Sequence, residues 1–237
     1  MRLILKKLSR GVVLKRHLPS EFGSAPMFVS PESTLGYWRR DLRKIDPFLL
    51  SMVRELVRGE MTVWDIGANV GLFSFAAAAL GSRVLAVEAD TWLAGLLHRS
   101  VLLNGLPVTV LPAAVADAPG ISALHYSDQG RASNSLVGTG AAQTVVTITL
   151  DWILDHFSAP QVLKIDVEGM EYSVLRGASK LLQLRPIILC EVTRHHDGVG
   201  QLLQDAGYTL YAAREQNRHP LQKPSYDTLA LPSKAQS

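Results

Sequence analysis

The fold of this chain is decided by the stretch MTVWDIGANVG, residues 61–71. Its first half is a short apolar run that ends at Asp65, a pattern typical of a buried strand that runs into a loop. Gly67 permits a tight turn there, and Gly71 allows the next helix to approach the strand closely. The stretch therefore predicts a strand, a ligand-binding loop and a helix, in that order.

Strands and helices alternate along the rest of the chain. The predicted strands are 61–67, 83–89, 108–116, 161–169, 186–192, 208–213 and 226–231, and the predicted helices are 70–80, 91–104, 171–182 and 197–206. Such alternation implies a mostly parallel sheet with helices on both faces. We therefore expect an α/β, Rossmann-like fold with seven strands.

Two segments fall outside this alternation. Residues 1–58 read as a basic N-terminal arm, with an irregular connection at 20–36 and a helix at 41–58 that packs on the body or covers the substrate site. Residues 59–237 form the main domain. Within it, residues 117–150 are predicted to be a lid-like insertion, with strands at 121–126 and 144–150 around a stretch rich in Gly, Ser and Asn.

Composition and charge narrow the functional class. Apolar residues make up 47% of the chain, which indicates a packed core, and the single Cys190 excludes an internal disulfide or a cysteine-based zinc cluster. Residues 1–58 hold 12 Lys and Arg against 5 Asp and Glu, whereas the remainder holds 12 against 16. The mildly acidic body disfavours nucleic acid as a partner.

The first 19 residues carry six Lys and Arg and no acid. Their apolar runs are too short for a secretory signal or a spanning helix. We expect the arm to pack on the body of a cytoplasmic protein. Contact with an anionic membrane surface or with an acidic substrate remains an alternative.

The loop at 65–71 has the spacing G-x-N-x-G rather than the G-x-G-x-x-G of dinucleotide-binding proteins. Asp65, beside this loop, would repel a pyrophosphate, but it suits S-adenosylmethionine (SAM), which carries an ammonium and a positive sulfur. Glu88 ends the next strand, where an acid accepts hydrogen bonds from ribose hydroxyls. The loop therefore predicts SAM as the cofactor. The alternative is that Asp65 and Glu88 are purely structural caps.

A second polar block, KIDVEGME (164–171), lies at the end of the fourth strand. Ligands of open α/β sheets bind at that edge, so Asp166 and Glu168 are expected to face the reacting group. Asp166 is the first candidate for a general base, Glu168 the second, and His195, with its neighbour His196, the third. For each of these candidate bases, the alternative is an ordinary structural role in its loop or helix cap.

A metal site is an alternative use of the same acids. Asp166, Glu168 and Glu191 offer the oxygen ligands that magnesium or calcium prefers. No spacing rule in the sequence establishes such a site, so we favour a reaction without a metal.

Several blocks together resemble the FkbM-type methyltransferase family. In chain order they are DIGANVGLF, the strand end VEAD, TLD, LKIDVEGMEYSVLRGA and RPIILCEV, which lie between Thr62 and Val192. The resemblance implies a class I methyltransferase fold and O-methylation, typically of sugars, glycolipids or polyketide-type natural products. It also implies that SAM is held by residues of three strand ends. The amino-acid end of SAM would be held by Asp65, Gly67, Asn69 and Gly71, its ribose by Glu88, and its adenine by Ala114 and the neighbouring residues. The resemblance further implies that Asp166 lies near the methyl group of SAM and that Ser133-Asn134-Ser135 forms a polar lid.

The functional prediction is a SAM-dependent methyltransferase that acts on a hydroxyl oxygen of a small molecule, sugar or glycolipid. Two alternatives keep the fold, namely a nucleic-acid methyltransferase and a non-catalytic SAM-fold binding subunit. An NAD-dependent oxidoreductase is disfavoured by Asp65 and by the lack of a G-x-G-x-x-G motif.

Overall fold

The computed structural model describes residues 2–233. Within that range the strands are β1 (Leu14–His17), β2 (Pro26–Val29), β3 (Thr62–Ile66), β4 (Arg83–Val87), β5 (Val108–Leu111), β6 (Ala114–Val115), β7 (Gly120–His125), β8 (Ala142–Ile148), β9 (Val162–Ile165), β10 (Ile187–Glu191), β11 (Tyr208–Ala212), β12 (Pro220–Leu221) and β13 (Asp227–Pro232). The helices there are α1 (Arg2–Ser9), α2 (Pro47–Leu56), α3 (Leu72–Ala79), α4 (Thr91–Asn104), α5 (Leu150–Leu154), α6 (Glu171–Arg176), α7 (Ser179–Gln183) and α8 (His196–Asp205).

The main sheet has the order β12-β11-β13-β10-β9-β3-β4-β5. Strands β10, β9, β3, β4 and β5 pair in parallel, whereas β13, β11 and β12 add an antiparallel edge. The predicted Rossmann-like class I fold is thereby confirmed. The sheet has eight strands in the described part of the chain rather than seven, because the two-residue strand β12 pairs with β11 at the edge.

The two faces of the central strands build two cores. Along β3, Trp64 and Ile66 pack with helices α5 to α8, while Val63 points to the opposite face, where α2, α3 and α4 pack. All five residues of β3 are buried. A strand covered on both faces must be apolar at successive positions, which is why MTVWDIG is a continuous apolar run rather than an alternating one.

The N-terminal arm contains more structure than the sequence indicated. The prediction of an irregular connection at 20–36 was wrong for Pro26–Val29, which forms β2 and pairs with β1. Met27 and Val29 are fully buried in the core. The strand is fixed to α4, because the Phe28 amide donates to Ser100 Oγ over 2.8 Å.

Three predicted elements are divided in the structure. The strand predicted at 108–116 is split by Pro112, and its second part, β6, leaves the main sheet to pair with β8. The helix predicted at 171–182 is split at Gly177, where a Cβ would lie 2.5 Å from the carbonyl oxygen of Ala116. The helix predicted at 41–58 begins only at Pro47, with Asp46 as its N-cap.

Two strands of the insertion, β7 and β8, join β6 in a separate three-stranded sheet of order β6-β8-β7. The loop between β7 and β8 carries a short 3-10 turn, Arg131–Ser133, and returns toward the carboxyl edge of the main sheet. Leu124 and Val145 form a small apolar core with Ala114 under this loop. The insertion is therefore built against the strand ends where a ligand of an α/β sheet binds.

No helix among residues 2–233 is both long enough and apolar enough to cross a membrane.

Candidate active site

The loop after β3 has a backbone that only certain residues tolerate. Gly67 and Gly71 have φ values of 76° and 90°, and Asn69 between them has a φ of 54°. A Cβ on Gly67 would lie 1.8 Å from the carbonyl oxygen of Asp166, so the loops after β3 and β9 are in direct contact. A Cβ on Gly71 would lie 2.4 Å from Leu97 Cδ2, where α3 meets α4. The G-x-N-x-G spacing thus serves close packing at both of its glycines.

An ion-pair network lies behind this loop. Asp65 is fully buried and accepts a hydrogen bond from Ser74 Oγ over 2.6 Å. Lys164 Nζ lies 3.0 Å from Asp65 Oδ1 and 3.3 Å from Asp166 Oδ2, and it donates to the Gly67 carbonyl. Burial opposes the charge of Lys164, but the two carboxylates hold its pKa above the ordinary value. Lys164 therefore neutralises Asp65 from the neighbouring strand.

Glu88 connects the loop to the next strand end. Its carboxylate accepts hydrogen bonds from the Asn69 amide over 2.6 Å and from the Asp90 amide over 2.8 Å. Burial raises the pKa of Glu88 to about 7. The side chain is held at the edge of a cavity, with the loop backbone and the start of α4 fixed around it.

This cavity lies across the carboxyl ends of the parallel strands, and its empty space is about 810 Å³ when the solvent at its open mouth is included. Of the residues that the sequence singled out, Gly67, Asn69, Glu88, Ala114, Asp166 and Glu168 line it. Ala114 belongs to an apolar end near β5, whereas Asp166 and Glu168 lie at the end near β9. Asp65 and Gly71 are buried and do not line the cavity, so the structure places them behind its wall.

Three carboxylates meet at the β9 end of the cavity. Asp166, Glu168 and Glu191 each offer an oxygen within 4.8 Å of the others. Burial, and then the charge of Asp166, raise the pKa values of Glu168 and Glu191 to about 7. The Tyr226 hydroxyl donates a hydrogen bond to the Glu191 carboxylate. The backbone of Glu168 lies in the left-handed region, with a φ of 51°. Such a cluster is stabilised by binding a proton or a cation, so it is equipped to accept a proton or to hold a hard metal ion.

The histidines stand apart from this cluster. His195 is exposed, immediately precedes α8, and lies with its ring centroid 5.8 Å from that of Tyr172. It does not line the cavity. His196 contacts the Pro224 carbonyl through Nδ1 at 3.2 Å. The structure therefore does not bring either imidazole to the acidic end of the cavity.

The insertion covers the cavity through specific polar contacts. Asn134 Nδ2 donates to Asp90 Oδ2 over 2.9 Å, and Ser135 Oγ donates to the Glu168 carbonyl over 2.7 Å. Asn134 and Ser135 line the cavity, as does Arg131, whereas Ser133 does not. The lid thus spans the opening from the end of β4 to the end of β9.

Arg131 is a contact that sequence reasoning missed. Its guanidinium pairs with the buried Asp90 at 2.8 Å and with Glu32 of the arm at 2.8 Å. A second arm residue, Ser33, donates through Oγ to Asn69 Oδ1 over 2.6 Å. The available signal was Asp90, which the sequence shows directly before α4 and which also caps that helix. Its partners come from distant segments and leave no local pattern.

Comparisons with known proteins point to methyltransferases. The model of the methyltransferase FkbM domain family matches residues 65–210. The hexuronic acid methyltransferase AglP of Haloferax volcanii is 26% identical over 197 residues, which cover 81% of this chain and 79% of AglP. A precorrin-6Y C5,15-methyltransferase of Geobacter metallireducens superposes with a TM-score of 0.50 at 16% identity, over 80% of this chain and 89% of that one.

The superposition concerns the fold alone, whereas the family model matches residues 65–210, more than half of the chain. The chain therefore belongs to the FkbM methyltransferase domain family of SAM-dependent enzymes.

Proposed function

We propose that this enzyme transfers the methyl group of SAM to a hydroxyl oxygen of a sugar or glycan. The observation that carries the proposal is the meeting of Asp166, Glu168 and Glu191 at one end of the cavity. A hydroxyl is a weak nucleophile, and its reaction needs a group that removes the proton as the new bond forms. A carboxylate with a pKa near 7 suits that task at physiological pH.

The residues around the cavity fit SAM. Ala114 and Leu124 offer apolar surface for the adenine at one end. Glu88 lines the cavity, and a carboxylate there can accept hydrogen bonds from the ribose hydroxyls. The carboxylates at the other end suit a positively charged sulfonium and an ammonium. Because Lys164 neutralises Asp65, we assign Asp65 to the support of the loop rather than to direct contact with the cofactor.

Each residue has a distinct part in the proposed reaction. SAM, when bound, supplies a methyl group on a positively charged sulfur. Transfer of that group to the acceptor oxygen would leave S-adenosylhomocysteine, and a carboxylate oxygen of Glu168 would take up the proton that the acceptor hydroxyl loses. The lid residues Asn134 and Ser135 exclude water, and the strand ends hold the groups in line.

Two observations support Glu168 rather than Asp166 as the base. Asp166 shares an ion pair with Lys164, which protonation of Asp166 would break. Glu168 has no ion pair among the described residues, and burial raises its pKa to about 7. His195 would need to move, since it does not line the cavity.

The acceptor class is supported by AglP, whose name gives hexuronic acid as its substrate. We therefore propose uronic acids and their glycosides as the first acceptors to examine. A uronic acid has both hydroxyl and carboxylate oxygens, and only the hydroxyls need a base. The position of the new methyl group consequently tests the mechanism as well as the substrate.

In the experiment, the full chain is incubated with SAM and one acceptor at a time. The acceptors are uronic acid glycosides, neutral hexosides and tRNA. S-adenosylhomocysteine release and product mass are measured, and each product is then treated with mild alkali. We expect a methylated glycoside that resists alkali, since an ether is stable where an ester is cleaved. An alkali-labile methyl ester would contradict the hydroxyl assignment, and methylated tRNA would contradict a sugar acceptor.

A further inference from the structure

The arm exposes apolar side chains beside positive charge. Leu5 and Leu8 in α1 are 39% and 62% exposed, and their spacing of three residues puts them on one face of the helix. Helix α1 packs beside the 3-10 turn Leu35–Trp38, whose Trp38 is 39% exposed. Single exposed apolar residues are ordinary, but here three large ones belong to two neighbouring elements.

Basic residues adjoin these side chains, and one half-exposed acid, Asp41, follows them in the chain. Arg39 and Arg40 follow Trp38 and are exposed, as is Arg10 after α1. Arg16 is fixed against the turn, where its guanidinium donates to the carbonyls of Tyr37, Trp38 and Arg39. The first 20 residues contain no Asp or Glu. We call the surface formed by α1, the turn Leu35–Trp38 and these arginines the basic apolar face.

This face is fixed relative to the cavity. Lys6 Nζ donates to the Asp128 carbonyl in the lid over 2.7 Å, and the Gly11 amide donates to Glu32 over 2.6 Å. Ser33, two residues before the turn, contacts Asn69 in the cofactor loop. A partner on the basic apolar face would therefore lie next to the cavity.

We propose that the basic apolar face binds the surface of an anionic lipid bilayer. Peripheral membrane helices bind a bilayer through three kinds of side chain. Leucines enter the boundary of the acyl chains, a tryptophan lies at the level of the headgroups, and arginines bind the lipid phosphates. A second copy of the chain is a poor occupant because it would bring two basic faces together. Nucleic acid would leave Leu5 and Leu8 unused.

Co-sedimentation of the full chain with lipid vesicles tests the proposal, in the absence of SAM and acceptor so that the result is independent of methyl transfer. Vesicles of phosphatidylcholine alone are compared with vesicles that also contain phosphatidylglycerol, at low and at high salt. We expect binding to the anionic vesicles that weakens as salt rises. Equal binding to both vesicle types, or binding to neither, would overturn the proposal.

Variants locate the contact. The double substitution Leu5→Gln/Leu8→Gln should weaken partition into anionic vesicles by about tenfold or more. The matched control, Leu102→Gln/Leu184→Gln, removes two leucines that are 74% and 55% exposed elsewhere, and should bind as the wild type does. Equal binding of the two double variants to the vesicles would overturn the assignment to this face. The proposal would also be overturned if tRNA displaced the protein from the vesicles and both double variants still bound tRNA.

A second measurement avoids substitution in α1. Brominated lipids quench tryptophan fluorescence only at short range, so we expect quenching in wild type that is largely lost in Trp38→Phe. Trp152, which is 38% exposed, remains as an internal reference in both proteins. Quenching that is unchanged in Trp38→Phe would contradict the proposed orientation.

Discussion

Lys164 supports the loop after β3 from the neighbouring strand β9. It joins the fully buried Asp65 to Asp166, so its removal would leave a buried charge without a partner. We expect Lys164→Met to lower the free energy of unfolding by about 3–5 kcal/mol, measured by urea denaturation at pH 7. Lys180→Met, which breaks the exposed pair with Asp155, should change it by less than about 0.5 kcal/mol.

The same pair explains a limit of sequence reasoning at this scale. Asp65 was visible as an acid beside a glycine loop, and its expected role was contact with SAM. What the sequence did not reveal is that Asp65 lies opposite Lys164 in the parallel register of β3 and β9. That register joins residues about a hundred positions apart, and no local pattern encodes it. A loss of less than about 1 kcal/mol in Lys164→Met would show that Asp65 finds another partner.

Glu168 gives the proposed reaction its pH dependence. Only the ionised carboxylate can accept the acceptor proton, and its pKa is about 7. We expect kcat/KM to rise with pH and to level off above about pH 7 in the wild type. Glu168→Gln should lower it by about 10²–10⁴-fold and remove this rise.

One further variant, His195→Asn, tests the imidazole as the base. Glu215→Gln, which changes an exposed glutamate in the turn after β11, serves as the matched control. A large loss in His195→Asn, with Glu168→Gln nearly as active as the wild type, would assign the base to the imidazole instead. Binding of S-adenosylhomocysteine, followed calorimetrically, should persist in each variant that is used for this comparison.

At the scale of the element, Gly67 governs how closely the loops after β3 and β9 approach. Its φ is positive, and a Cβ there would meet the Asp166 carbonyl oxygen at 1.8 Å. We expect Gly67→Ala to lower the thermal midpoint and to abolish S-adenosylhomocysteine binding. Gly95→Ala, in the middle of α4 with no atom within 4 Å of the new Cβ, should instead stabilise the protein by about 0.5–1 kcal/mol. Equal effects of the two substitutions would contradict the close approach of the loops.

The elements show what periodicity can and cannot predict. Helix α4 was predicted at its observed bounds, because Asp90 and Gly105 mark its ends locally. The division of the helix predicted at 171–182 was missed, since Gly177 adopts its position to pack against the Ala116 carbonyl. Asp151 then accepts hydrogen bonds from the amides of Lys180 and Leu181 at the start of α7. These causes lie in tertiary contacts rather than in the local sequence.

For the whole molecule, Glu88 makes stability depend on pH. Its pKa is about 7 in the folded protein and near 4.5 when exposed, so the folded state binds more protons between these values. The contribution of Glu88 to stability is therefore full below about pH 4.5 and is lost as pH rises through about 7. It amounts to on the order of 3 kcal/mol.

The measurement compares urea denaturation of wild type and Glu88→Gln at pH values from about 4.5 to about 8. We expect the difference in unfolding free energy between the two proteins to change across this window, because the variant lacks the titrating group. A difference that stays constant with pH would show that Glu88 titrates alike in the folded and unfolded states.

The cover of the cavity is shared between two segments that are far apart in the chain. The amides of Arg131 and Ala132 donate to the carbonyls of Glu32 and Ser33, and a Cβ on Gly130 would lie 2.5 Å from the Ser33 carbonyl oxygen. The two segments thus form one interlocked unit. A chimera that takes only the insertion from a relative would separate these two interlocked segments. A chimera designed to exchange acceptor preference therefore has to carry residues 30–35 together with 126–136.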